Sequence, residues 1–507
     1  MDAAAERARF RELQAGFATT YPRLAADSKA PRTVVVLPSL SLDAEVMARI
    51  SGVHHYEERM LCMLLLLRLP RTRVVFVSSQ PVAESTVDYY LSLLPGLPFA
   101  HARARLHLVC CHDGSSRSLS EKLLGRPRLV DRIRELIPDA GAAHLSCFAV
   151  SPAERALAVQ LGVPIYGCDP ELSALGSKSG SRRVFREAGI SMPDGIEDLP
   201  DEHALAEALA ELKSRDRSLR RAVVKLNEGF SGEANAVFRF DGAPSGPGLA
   251  AWVASRLPML AFEAEDMEWE AYRAKLCEMG CIAEAFVEGD EKRSPSAQYR
   301  VKPDGALDMI STHDQVLGGP SGQIFLGCEF PADPVYRLDI QAAGLKAAER
   351  LRDHGVLGRF GIDFISVRRG AAWEHHAIEV NLRKGGTTHP NVMLQFMTDG
   401  RYHPGSGTFT SPTGQPCCYH ASDNVQADAY RGLTPDDLVD LAVLEGLHFD
   451  AAWQEGVVFH LIGALSELGK LGMVAVGPTI ERARELFQAT IAVLDREAGN
   501  HQADGRP

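Results

Sequence analysis

Four short β-branched runs punctuate the first third of the chain: TVVVLPS (33–39), RVVFVSSQP (73–81), RLHLVCC (105–111) and HLSCFAV (144–150), separated by stretches of helical character. Strands and helices in alternation bury both faces of a sheet when the strands run parallel and helices pack over them, so this region predicts a parallel α/β layer. After the fourth run, Ser151, Pro152 and Glu154 supply an N-cap, a first-turn proline and a capping box before an apolar periodic stretch, which predicts a helix start. No G-x-G-x-x-G follows any of these strands, so the layer lacks a dinucleotide fingerprint and is expected to scaffold or to bind substrate.

A chain of 507 residues exceeds one ordinary core, and at roughly 150 residues per domain about three compact units are expected. The first pattern breaks at the Gly/Ser-rich GCDPELSALGSKSGSRRVF (167–185), which places a boundary near Glu171. From there to about Gln395, helices alternate with β-rich runs: AVVKLN (222–227), AVFRF (236–240), IAEAFVEG (282–289), SAQYRVKPDG (296–305), DMISTHDQVLGG (308–319), GIDFISVRR (361–369) and HAIEVNLR (376–383). A loop-like stretch, HPGSGTFTSPTGQP (403–416), then leads to a final α/β unit with GVVFHLIGAL (456–465), GMVAVG (472–477) and a helix from about Thr479 to Asp495. The closing HQADGRP reads as a frayed end. The expected division is 1–170, 171–395 with a lobe at about 220–285, and 396–507.

Hydrophobic residues at 45%, charged at 24% and aromatic at 7% are globular values. Net charge is −12 without a Lys/Arg block, which argues against nucleic acid or an anionic membrane as partner. The longest apolar run, Met60 to Leu67, is shorter than the roughly 20 residues of a membrane span and reads as a buried helix. The first segment, MDAAAERARFRELQ, has no apolar core of a secretory signal, so a cytoplasmic protein is expected. Ten cysteines without a C-x-x-C pair are expected to be reduced and buried.

The chemistry concentrates in HAIEVNLRKGGTTHP (376–390). On a strand, Ile378, Val380 and Leu382 point one way and Glu379, Asn381 and Arg383 the other. Glu379 and Asn381 offer hard oxygen ligands of the kind Mg²⁺ takes alongside phosphates, and Arg383 can hold a carboxylate or phosphate. The glycines that follow let backbone N–H groups approach an anion. A solvated amphipathic strand is the plainer alternative. Asp363, between apolar Ile362 and Phe364, is the natural partner ligand for Glu379, although alone it could be a turn residue.

Upstream, AVVKLNEGFSGEANAVFRF (222–240) reads as strand, glycine-bearing loop and strand. Lys225 ends the first strand, and Gly229, Ser231 and Gly232 form a loop able to close over phosphates; an ordinary hairpin fits the local sequence as well. Lys178 stands near a helix start, where an ammonium and the helix N-terminus can both meet phosphate oxygens. The run IAEAFVEG would let Glu284, Phe286, Val287 and Glu288 line adenine and ribose, with an exposed edge strand as the alternative.

In this order the pieces resemble the ATP-grasp superfamily, through motifs from about 170 to 390 and through the domain plan over the whole chain. The runs NLRKGGTTHP, STHDQVLGG and YHASDN…YRGLTPDDL…VVFHLIGALSELGKLG resemble the pheganomycin-type peptide ligases within it. The resemblance implies a pre-grasp α/β domain, an ATP-grasp fold of two α+β subdomains clasping ATP, and a C-terminal α/β unit. It implies that Lys178, Lys225 and the Gly229 to Gly232 loop hold ATP phosphates, and that Glu284, Ala285 and Val287 line adenine, with Glu288 or Glu291 on the ribose. It also implies that Asp363, Glu379 and Asn381 hold two Mg²⁺ ions, with Mn²⁺ as a substitute. Ligases that join two D-alanines carry Arg two residues before the Asp, where this chain has Gly361; Arg383, Arg300 or Arg359 is left to neutralise an acyl phosphate.

The implied activity is ATP-dependent ligation of a small carboxylate to an amine, amino acid or peptide through an acyl phosphate, with Arg383 and backbone amides around Gly385 and Gly386 as oxyanion donors. The base for the amine proton has no assignment, and His389 reads equally as a cap or packing residue. A carboxylase or kinase with the same grasp, or a nucleotide-sensing protein, are the competing expectations, and homodimerisation stays open.

Overall fold

The computed structural model describes residues 2–41, 47, 51–229, 234–264, 267–318 and 324–503. The four N-terminal runs form strands Arg32–Leu37, Thr72–Ser78, Leu106–Cys110 and Ala143–Cys147 in one parallel sheet, in the order third, second, first, fourth. Val34, Val35, Val36 and Phe76 are fully enclosed, as residues of a strand covered on both faces must be. The capping box at Ser151 and Glu154 forms, and the helix Pro152–Leu161 follows it. The apolar run from Met60 lies within the largely buried 3-10 helix Val53–Arg68.

The second sheet has five antiparallel strands in the order Gly195–Leu199, Cys281–Ala285, Arg221–Leu226, Asn235–Arg239 and Ala261–Phe262. Leu205 and Leu209 of helix Glu202–Arg215 pack with Val224, Phe238, Tyr272 and Leu276 behind it.

The third sheet has nine strands. Ala372–Asn381 pairs with Gly358–Arg369, whose other edge takes Glu291–Arg293 and Pro295–Val301; then come Leu307–Gly318, Ile324–Phe330, Cys418–Gln426, Lys470–Gly477 and Gly456–His460. The C-terminal strands are antiparallel and continue this sheet directly, a pairing that periodicity cannot show. The stretch at 403–416 holds half of a hairpin, Arg401–His403 with Thr408–Thr410, and the last helix runs on to Ala503, past the expected Asp495.

One apolar core runs from the N-terminal unit into the C-terminal strands, with Leu61 and Leu64 in the same cluster as Met393, Phe396, Val474 and Val476. Seven cysteines are buried, and Cys277 departs from the expectation by being exposed on helix Trp269–Met279. Among the described residues no helix is long and apolar enough to cross a membrane.

Candidate active site

Strand register assembles one polar face on the large sheet. Asp363 lies opposite Glu379 on one neighbouring strand and Ser296 on the other, and Gly361 lies opposite both Asn381 and Gln298. Arg359 and Arg300 are the next facing pair on the same side. Alternation buries Ile362, Phe364 and Val380 on the reverse face, which is why the carboxylates are held in place rather than solvated. Asn381 Nδ2 donates to Asp363 Oδ2 at 3.0 Å, and its amide oxygen is not used in that bond.

Two half-buried carboxylates side by side call for positive charge. Burial first, and then Glu379, pushes the Asp363 carboxyl up to about 7. Burial acts on Glu379 in the same sense, but Lys178, Arg383 and Lys225 outweigh it and hold that group below its ordinary value. Lys178 is ion-paired with Glu379. It opens the helix Lys178–Ala188, capped by Ser177, whose hydroxyl accepts from Gly180 N at 3.0 Å. That helix start is fastened to the five-stranded sheet: Lys178 N donates to Asn227 O at 3.1 Å, and Ser179 Oγ donates to Asn227 Oδ1 at 2.7 Å. Gly180 is required there, since a Cβ would fall 1.8 Å from Ala174 O.

Lys225 is buried with Glu284, whose two oxygens meet Lys225 Nζ at 2.7 Å and Arg182 Nη1 at 2.5 Å. The structure therefore places Glu284 beneath the surface, 2% exposed and fully engaged, as the anchor that aims Lys225. Ala285 N–H donates to Asp194 O at 2.7 Å, and Phe286 N–H to Arg221 O at 3.1 Å. Phe286 has both Arg221 and Lys292 over its ring, with their charged ends 3.8 and 4.0 Å from its centre. Glu288, on the same 286–290 connection to the large sheet as Val287, forks onto Arg221 at 2.8 Å. Gly229 is kept free of a side chain by Ala234, 2.4 Å from its ideal Cβ; Ser231 and Gly232 lie outside the described residues.

The glycine-bearing loop after Asn381 is docked on the N-terminal unit. Lys384 N donates to Phe148 O at 3.0 Å, and Lys384 Nζ hydrogen-bonds Cys147 O; burial pushes this ammonium down to about 8. Burial also lowers the Arg383 guanidinium, with Glu379 and Asp363 opposing. Gly385 N–H is engaged by Thr388 Oγ1 at 3.0 Å, which withdraws it from the expected oxyanion donors. Gly386 packs against Phe325, 2.5 Å from its ideal Cβ. Arg300 is held by Asp308 at 2.7 Å.

Several polar residues in and around the site carry weak sequence signals: Gln298 and Lys384, Arg182 beneath Lys225, and the separate buried group Arg59, Asp423 and His460. Alternation along SAQYRV marks Gln298; it fills the space above Gly361, whose Cβ would meet its amide at 2.7 Å.

The donor set fits a divalent cation with polyphosphate: two carboxylates and an amide oxygen on the large sheet, with two buried lysines, one at a helix start and one on the five-stranded sheet. The comparisons agree. A protein-family profile described as "IQCH-like, ATP-grasp" matches residues 170–240 and 249–404, and one described as "PGM1 C-terminal domain" matches 437–490. The L-propargylglycine–L-glutamate ligase of Streptantibioticus cattleyicolor is 30% identical over 473 residues, covering 91% of this chain and 94% of that protein. Among solved structures, the ADP complex of N5-carboxyaminoimidazole ribonucleotide synthetase has a TM-score of 0.51 at 12% identity, covering 92% of this chain and 98% of that one. The biotin carboxylase domain of Hydrogenobacter thermophilus 2-oxoglutarate carboxylase, solved with MgADP, has a TM-score of 0.51 at 13% identity over 90% of this chain and 89% of that one. Polar face, facing lysines and full-length similarity converge: the chain belongs to the ATP-grasp family, among its pheganomycin-type carboxylate–amine ligases.

Proposed function

We propose that the protein uses MgATP to phosphorylate the carboxylate of an amino acid or similar small acid and joins the resulting acyl group to the amine of a second amino acid or short peptide. The observation that carries this reading is the meeting of Asp363, Glu379 and Asn381 with Lys178 on one polar face that continues into the Arg383 loop. The substrate class rests on the relative named for joining two amino acids.

A carboxylate has no adequate leaving group in water, and phosphorylation supplies one. Lys178 and Lys225 would meet the phosphate oxygens, while Asp363, Glu379 and Asn381 would hold Mg²⁺. Mg²⁺, when bound there, neutralises phosphate charge during transfer. Arg383 would steady the acid and then the oxyanion. The 286–290 connection between the two sheets would line adenine and ribose. In this reading residues 1–170 shape the acid or amine site, 171–395 bind nucleotide, and 396–507 complete the large sheet; the protein works in the cytoplasm.

The test is ADP and phosphate release with MgATP across pairs of amino acids and dipeptides, with mass spectrometry of products. An amide formed in step with ADP supports the reading. A phosphorylated or carboxylated acid without amide, or ATP binding without turnover on any pair, overturns it.

A further inference from the structure

A second buried polar cluster lies beyond the loop after Asn381, where all three parts of the chain meet. His389 opens the helix that follows Gly385 and Gly386, Asp423 and His460 come from two C-terminal strands, and Arg59 from the N-terminal 3-10 helix. His389 Nε2 lies 2.8 Å from Asp423 Oδ1, and His460 Nε2 lies 2.6 Å from the same oxygen. Arg59 Nη2 meets the other oxygen, Oδ2, at 2.6 Å. All four side chains are almost fully enclosed.

His389 Nε2 also lies 3.0 Å from His460 Nε2. A carboxylate flanked by a guanidinium stays ionised and can only accept, so each ring turns an Nε2–H toward Asp423 rather than a lone pair, and a neutral His389 then keeps its lone pair on Nδ1. Among the described residues that Nδ1 has no hydrogen-bond partner, although it is buried. Leaving a buried nitrogen unpaired costs free energy, and such an atom calls for a function. His389 also lines a narrow cleft with Arg59, Met60, Cys62, Phe148, Lys384 and Gly385. The cleft adjoins Arg383, whose Nη1 lies 4.0 Å from an ideal Cβ on the cleft-lining Gly385, and so borders the place where the ligase reading puts the acyl group.

A metal ion is a poorer occupant of the cluster. Histidines on a metal pass their second ring N–H to an acceptor, and among the described residues both Nδ1 atoms lack one, while Arg59 already neutralises the carboxylate.

We propose that His389 is the base that takes the proton from the attacking amine, with Asp423 as the residue that positions its ring; this rests on the ligase reading above. The amine lone pair adds to the acyl carbon and forms the C–N bond, and the carbonyl pair moves to oxygen near Arg383. The ammonium of this adduct gives its proton to His389 Nδ1. The oxyanion pair then returns, the C–O bond breaks, and phosphate leaves with that electron pair. The imidazolium keeps its Nε2–H on Asp423 and returns the extra proton to solvent or phosphate. The charged and titratable groups around the ring are Asp423 and His460 on the C-terminal strands, Arg59 on the N-terminal helix, and Lys384 on the loop; burial, His460 and Arg59 disfavour the imidazolium before the amine arrives.

Hydroxylamine separates the half-reactions, since it captures acyl phosphates without a base. With the full-length protein, MgATP and an accepted acid, His389→Asn is expected to form hydroxamate within about twofold of the wild type and to lose amide formation by about 100-fold. Asp423→Asn, which keeps the imidazole but not its carboxylate, is expected to lose amide formation by about tenfold or more with hydroxamate retained, and it carries the test if His389→Asn does not fold. Amide formation unchanged in a folded variant overturns the proposal, as does a parallel fall of both products. Absence of hydroxamate from the wild type with every acid instead overturns the ligase reading.

Discussion

Asp363 and Glu379 face each other across neighbouring antiparallel strands, and Lys178 is ion-paired with only the second of them. Burial and then Glu379 drive the Asp363 carboxyl up, while Lys178, Arg383 and Lys225 overcome burial and hold Glu379 down, although the two are adjacent.

The first consequence concerns pH. Asp363 titrates near 7 in the protein against 3.8 for the free side chain, so its contribution to stability is fully present below the free value and is lost as pH rises to about 7. A divalent ion needs the carboxylate, so its binding releases a proton below that pH. MgADP affinity, followed by calorimetry in buffers of different ionisation enthalpy, is expected to weaken by up to about tenfold per unit as pH falls from 7 to 5.5. Asp363→Asn is expected to bind weakly with the slope removed.

Glu379→Ala is expected to abolish ADP formation, at least about 100-fold, while the circular dichroism spectrum stays that of the wild type. Its side chain is 24% exposed, so removal leaves no closed void. Full turnover in that variant would refute the metal assignment.

Glu284→Ala is expected to act on stability. It strands the Lys225 ammonium and the Arg182 guanidinium in a buried place, which costs about 3–5 kcal/mol, read as a lower denaturation midpoint. If Glu284 instead contacts nucleotide, the variant would keep its midpoint and show only a raised KM for ATP.

Gly180→Ala tests the seat of Lys178. The new methyl would strike a carbonyl oxygen of the preceding turn, and the helix start has to shift. The expected loss is about 1–3 kcal/mol of stability, with weaker ATP binding.

The parallel layer was legible because four β-branched runs alternate with helices, and each became a strand. The polar face was legible because a period of two separates Glu379 and Asn381 from Val380 without reference to anything distant. Glu284 was harder: an acid in an apolar run reads as exposed, and only a tertiary contact with Arg182 and Lys225 accounts for its burial. Arg59, Asp423 and His460 were illegible as a group, being drawn together from positions 364 and 37 residues apart. The pairing of the last strands was hidden too, since a strand's composition does not name its neighbour.

For protein engineering, the shared large sheet sets a rule about where the chain can be cut. Ending it near residue 395 would uncover the edge of strand Ile324–Phe330 that now pairs with Cys418–Gln426, and would strip the apolar cover from Leu61 and Leu64. A bare edge beside an uncovered core invites aggregation. Chimaeras that exchange substrate preference between relatives therefore have to carry the final hundred or so residues as part of the graft.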